Sequence, residues 1–195
     1  YELGSVFKTF TVAAGFHEEL IEPNTEFLNL EKKLPCDKFV IREYSDKIPT
    51  NLTVEQILIR SGNVGSVRIG QKLGKDKFKS FLENIGVLNK IDFDIEEIGK
   101  PLEFNWGKCK LATVSFGHGI TTTPLQLAKG YAIITNGGFD IKPTLIEKDS
   151  DKNFNSKRII KKGVSKKMNI ILRKVVSTKN GTAGLANIAG YEVGG

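Results

Sequence analysis

From Ser5 to about Phe16 the chain is filled by small and apolar residues: Val6, Phe7, Phe10, Val12, Ala13 and Ala14. The segment reads as a helix, and a helix of this composition belongs inside a fold rather than on its surface. Gly4 precedes it, and Gly15 is expected to weaken its end. Whatever else the chain forms must therefore wrap this helix. Two polar residues in its first turn, Ser5 and Lys8, then need a reason to be there.

The rest of the chain supplies the wrapping. Thr53 and Gln56 form a T-x-x-Q capping box, in which each side chain satisfies the other's backbone N–H, and a helix runs from there to near Arg60. Ser61-Gly62-Asn63 breaks it. A further helix spans about Val64 to Leu73, closed by Gly74, and another about Lys75 to Ile85, ending at Gly86. Thr123-Pro124 with Gln126 is a second capping box with proline at the first helical position. That helix stops at Asn136-Gly137-Gly138. The last helix is expected from about Ser165 to Val176. Strand-like pieces occur at Lys38 to Arg42 and near Lys142 to Ile146. Val87 to Lys110 reads as loop and short turns anchored by Trp106, and Asp149 to Asn155 as a polar turn. At 195 residues, 39% of them hydrophobic, this is one domain or a large part of one, with enough apolar residue for a core.

Positions i and i+3 share a helix face, so the Ser5 hydroxyl and the Lys8 amine can meet. A serine is a poor nucleophile until a base takes its proton. A lysine becomes such a base when burial and the positive end of a helix disfavour its ammonium form. Alone the pattern is weak: chance supplies about one S-x-x-K in a chain of this composition. Its bland alternative is a surface lysine one turn above an N-cap serine. In Ser61-Gly62-Asn63, a second hydroxyl could relay protons, and the Asn63 amide could hold a substrate carbonyl or orient Lys8. The bland alternative is a helix–helix turn with Asn63 capping the next helix. The third element is Ser115-Phe116-Gly117-His118-Gly119, whose two glycines allow a sharp turn. His118 has no carboxylate partner identifiable in the sequence and reads as a loop or packing residue, not a base. His17 has a weaker case still.

Other chemistries are excluded or disfavoured. The formal charge is +7, but the lysines are scattered and no aromatic residues interleave with them, which argues against nucleic acid. Cys36 and Cys109 have no CxxC neighbour, so a zinc site is not indicated. One disulfide fits the count, but two unpaired thiols is the expectation. No apolar run reaches the length of a membrane span, and no signal peptide is visible.

Taken together and in this order, the motifs resemble the serine penicillin-recognising enzymes, and within them class B penicillin-binding proteins of the cell-division type. Tyr1 to Lys8 (YELGSVFK) resembles their Y-E-P-G-S-x-F-K. Ser115 to Ala128 resembles S-F-G-x-G-x-x-x-T-P-L-Q-L-A over its whole length, the most specific of the matches. Leu52 to Ile69 resembles their helix, S-x-N turn and helix, and Gly181-Thr182-Ala183 a G-T-A stretch before K-T-G. Leu3 stands where the family has proline, and Gly62 where serine or aspartate is frequent.

The resemblance implies an α+β fold: the transpeptidase/β-lactamase-like fold, an antiparallel sheet flanked by helices, of which this chain would hold mostly the helical part. Gly190 to Gly195 resembles the lead-in to K-T-G. Residues 1–195 are thus expected to be a partial transpeptidase domain lacking the K-T-G strand and any N-terminal strands, and inactive alone. The implied activity is peptidoglycan D,D-transpeptidation through a serine acyl-enzyme, with β-lactams acylating the same serine. Ser5 would be the nucleophile, Lys8 its base and Ser61 a proton shuttle, with Asn63 binding the acyl amide. No cofactor or metal is implied. The implied partners are stem peptides, β-lactams and, for the parent protein, membrane-bound cell-wall synthesis and division proteins. The implied location is the periplasmic face of a bacterial inner membrane. The rivals are a β-lactamase or β-lactam sensor and a non-catalytic scaffold. A class A β-lactamase needs a deacylating glutamate; Glu96 and Glu97 lie in the relevant stretch of chain, but no E-x-x-L-N pattern surrounds them.

Overall fold

A computed structural model describes residues 1–95, 99–147 and 156–195. In chain order its α-helices are α1 (Lys8–His17), α2 (Val54–Ile59), α3 (Asn63–Leu73), α4 (Lys75–Asn84), α5 (Lys110–Val114), α6 (Pro124–Thr135) and α7 (Lys162–Ser177). A 3-10 turn, Gly4–Phe7, leads into α1. The strands are β1 (Glu26–Phe27), β2 (Lys33–Cys36), β3 (Phe39–Arg42) and β4 (Leu52–Thr53). They form two small antiparallel sheets, β1 with β4 and the β2–β3 hairpin, which pairs Lys33 with Arg42 and Cys36 with Phe39.

The apolar segment becomes the central helix. Every residue of α1 from Lys8 to Phe16 is buried, and α2, α3, α4 and α7 all pack against it. Phe7 meets Phe10 and Phe78 edge-on, at ring distances of 5.3 and 6.3 Å, and Phe10 meets Tyr131 of α6 at 5.5 Å. Each fully buried phenylalanine contributes roughly 2–3 kcal/mol by area removed from water. Gly15 does not weaken the helix end, because α1 continues to His17. Its role is packing: a Cβ there would lie 2.4 Å from Ile21 Cδ1.

Both capping boxes form. Thr53 caps α2 and Thr123 caps α6, each exchanging hydrogen bonds with the glutamine three residues on. Two other expectations are corrected, and one short helix is added. Residues 142–146 are not a strand. Among the described residues no strand pairs with them, and the Leu145 N–H donates to Asp94 Oδ2 at 2.8 Å. The loop region ends in a short helix, α5, that its sequence did not announce. Cys36 and Cys109 are not free thiols: they form a disulfide, with Cα atoms 5.7 Å apart across 73 residues. Packing of α3 against both β3 and α5 brings the hairpin and the start of α5 together. The expected polar turn at 149–155 and the pair Glu96 and Glu97 lie outside the described residues.

Candidate active site

Lys8 is the first residue of α1 and is fully buried, yet its amine reaches four oxygen atoms. Nζ lies 3.1 Å from Ser5 Oγ, 2.6 Å from the Ser61 carbonyl oxygen, 2.9 Å from Ser61 Oγ and 2.7 Å from Asn63 Oδ1. The structure thus brings together all four residues singled out in the sequence. Ser5 sits in the 3-10 turn, one residue set before α1 proper, and is exposed. Its i, i+3 relation to Lys8 holds in either helix type.

Local backbone chemistry makes the meeting. α2 ends in a Schellman motif: the Ser61 N–H donates to Leu58 O at 3.0 Å and the Gly62 N–H to Ile57 O at 2.8 Å. This puts Ser61 in the left-handed region, at φ +53, and turns its carbonyl and hydroxyl onto Lys8. Gly62 is then the N-cap of α3, so Asn63 does not cap that helix. Its side chain instead accepts from Lys8 and donates Nδ2–H to Arg42 O at 2.8 Å.

The electrostatics of the amine follow. Desolvation lowers the Lys8 pKa from 10.5 to about 8, opposed by the negative charge of Glu43. A neutral amine has two N–H groups and one lone pair. The Ser61 carbonyl and the Asn63 amide oxygen can only accept, so they take the two N–H groups. The lone pair then faces the hydroxyls of Ser5 and Ser61, either of which can donate to it. This arrangement can remove a proton from Ser5 and pass one between the two serines.

The segment from Ser115 onward holds the other side of the Ser5 turn. The Gly117 carbonyl accepts from the Gly4 N–H at 3.1 Å, and Glu2 and Thr121 form a β-bridge. Gly117 adopts φ +86, and a Cβ there would lie 1.9 Å from Gly4 O. Ser115 is buried under α1, its carbonyl accepting from Thr11 Oγ1 at 2.8 Å. His118 does have a carboxylate neighbour, contrary to expectation: Glu2 lies 3.1 Å from its Nδ1. The imidazole stacks on Phe116 and is largely exposed. Glu43, which the sequence offered no reason to select, accepts from the backbone N–H groups of Asn63 and Val64 at 2.7 and 3.0 Å. Among the described residues no cluster of three or more His, Cys, Asp or Glu is arranged to hold a metal.

The family model for the penicillin binding protein transpeptidase domain matches residues 1–195. The probable peptidoglycan D,D-transpeptidase FtsI of Caulobacter vibrioides is 28% identical over 198 residues, spanning all of this chain and 33% of that protein. The probable peptidoglycan D,D-transpeptidase PenA of Neisseria flavescens is 30% identical over 99% of this chain and 47% of its own length. This chain thus spans about a third to a half of these relatives. Among solved structures, the transpeptidase domain of penicillin-binding protein 3 from Burkholderia pseudomallei superposes with a TM-score of 0.91 at 24% identity, covering all of this chain and 59% of that one. At that identity the likeness speaks for the fold alone: mostly helical here, with small antiparallel sheets, as the α+β expectation held.

Proposed function

Because this chain belongs to the penicillin-binding protein transpeptidase family, we propose that Ser5 is the nucleophile of a peptidoglycan D,D-transpeptidase. The single observation that carries the assignment is the buried amine of Lys8, held by two obligate acceptors with its remaining valence toward Ser5 and Ser61.

In the proposed reaction Ser5 Oγ attacks the carbonyl carbon of the penultimate D-alanine of a stem peptide. Its proton passes to Lys8 and then, through Ser61, to the leaving amine. The peptide C–N bond breaks, the terminal D-alanine departs, and a serine ester remains. An amino group of a neighbouring stem peptide then attacks this ester, giving its proton to Lys8. The ester C–O bond breaks, Ser5 regains a proton, and the cross-link is formed. The Ser5 backbone N–H would supply one oxyanion donor, and the Asn63 amide would hold the acyl amide. A β-lactam ring would be opened by the same attack. The whole reaction is proposed for the full-length protein, working at the extracytoplasmic face of the membrane. The Cys36–Cys109 disulfide supports an oxidising compartment.

The test is release of D-alanine from a stem-peptide substrate by the full-length protein. Ser5→Ala should abolish release, and Lys8→Met should reduce it by a factor of about a hundred or more. Unchanged release in Ser5→Ala would remove the proposal.

A further inference from the structure

Helix α3 begins without a side chain of its own to cap it. Gly62, the N-cap, has no side-chain oxygen, and the first N–H groups of a helix have no intrahelical partner. Both of the first two are taken by a residue from another element. Glu43, directly after β3, accepts from Asn63 N through Oε2 and from Val64 N through Oε1. The neighbouring carbonyl, Arg42 O, accepts from Asn63 Nδ2. Three hydrogen bonds therefore fasten the first residues of α3 to the end of the β2–β3 hairpin. The oxygen left over on Asn63, Oδ1, is the one that holds the Lys8 amine.

We propose that Glu43 is a positioning residue for Lys8: by holding the first turn of α3 it fixes Asn63, one of the two acceptors that orient the amine. The proposal rests on Lys8 being the base for Ser5. Glu43 does not touch the reacting atoms; it acts through Asn63 and through its field.

The groups around Lys8 make the charge effect specific. On its own turn stands Ser5, and from the α2–α3 turn come Ser61 and Asn63, all neutral. Tyr131 of α6 bonds Thr9 and the Val6 carbonyl beside it, and burial raises its phenol further from titration. Glu43 is the charge that opposes the desolvation of the amine. Removing it leaves desolvation unopposed, so the ammonium form should be lost at lower pH.

The experiment compares wild type, Glu43→Gln and Glu43→Asp in the full-length protein. Lys8 is titrated by NMR of isotopically labelled lysine, its signal assigned by loss in Lys8→Arg, and the acylation rate by a chromogenic cephalosporin is followed against pH. Glu43→Gln keeps one acceptor and loses the charge. The Lys8 midpoint should fall by at least about half a pH unit, the rising limb of the acylation profile should move with it, and the plateau should drop several-fold. Glu43→Asp keeps the charge, so its midpoint should stay near wild type. A Glu43→Gln protein that melts earlier or acylates more slowly with an unmoved midpoint would reduce Glu43 to a helix cap and overturn the proposal. So would a variant indistinguishable from wild type. The NMR titration does not need turnover: a midpoint that follows Glu43 in a protein never acylated at Ser5 would keep the hold of Glu43 on the Lys8 amine and remove the proposed function.

Discussion

Ser61 occupies a backbone position that three other helix ends in this molecule give to glycine and that Glu19 takes after α1. Gly86, Gly117 and Gly137 close α4, α5 and α6 at φ +78, +86 and +96, whereas Ser61 stands at φ +53 after α2. A side chain in this region costs about 1 kcal/mol relative to glycine. The hydroxyl it places 2.9 Å from Lys8 is what glycine could not supply. Ser61→Gly is therefore expected to raise unfolding free energy by about 1 kcal/mol in denaturant titrations while lowering the acylation rate. Lys8 leaves a signature of its own. Its folded pKa, about 8, lies below the ordinary 10.5 because the ammonium is desolvated. Below about pH 8 the amine is protonated both folded and unfolded, and burial of the charge is a full cost. Between about 8 and 10.5 the unfolded chain binds more protons, so stability contributed by this site rises with pH, by up to roughly 3 kcal/mol. Measured as a difference from Lys8→Met, that rise should be present in wild type; parallel stability curves for the two would contradict the depressed pKa.

Elements announced by local chemistry were legible in the sequence. The caps of α2 and α6, the glycines after α3 and α4, and the apolar filling of α1 each act within a few residues, and each element formed where it was expected. The Ser5–Lys8 and Ser61–Asn63 motifs were legible for the same reason, and family resemblance supplied their order. Features made by distant residues were not. Glu43 caps a helix starting 20 residues later, Cys36 pairs across 73, and Glu2 meets His118 only because the Gly117 loop lies on Gly4. The strand expected near Lys142 to Ile146 needs a partner, and among the described residues none pairs with it. Two substitutions test the elements. Thr123→Ala should cost about 1 kcal/mol, the usual value of an N-cap, with little effect on acylation. Gly117→Ala meets both the positive φ and the 1.9 Å approach to Gly4 O. It should lower the melting temperature and also slow acylation, because the displaced backbone is the one that leads directly into Ser5.

At the scale of the molecule, a central buried helix presents its polar first turn where three other segments converge: the α2–α3 turn, the end of the β2–β3 hairpin and the Ser115–Gly119 loop. The Cys36–Cys109 disulfide ties the hairpin to the start of α5, which leads into that loop. A cross-link spanning 73 residues stabilises by roughly 2–4 kcal/mol, so Cys36→Ser with Cys109→Ser should melt well below the oxidised wild type. Acylation of Ser5 with Lys8 as its base is the step on which the proposed function stands. Incubating the full-length protein with penicillin over a range of pH, and locating the adduct by peptide mass spectrometry, should give one penicilloyl group on Ser5, absent in Ser5→Ala and forming faster as pH rises through about 8. An adduct on another residue, or one that persists in Ser5→Ala, would contradict that step.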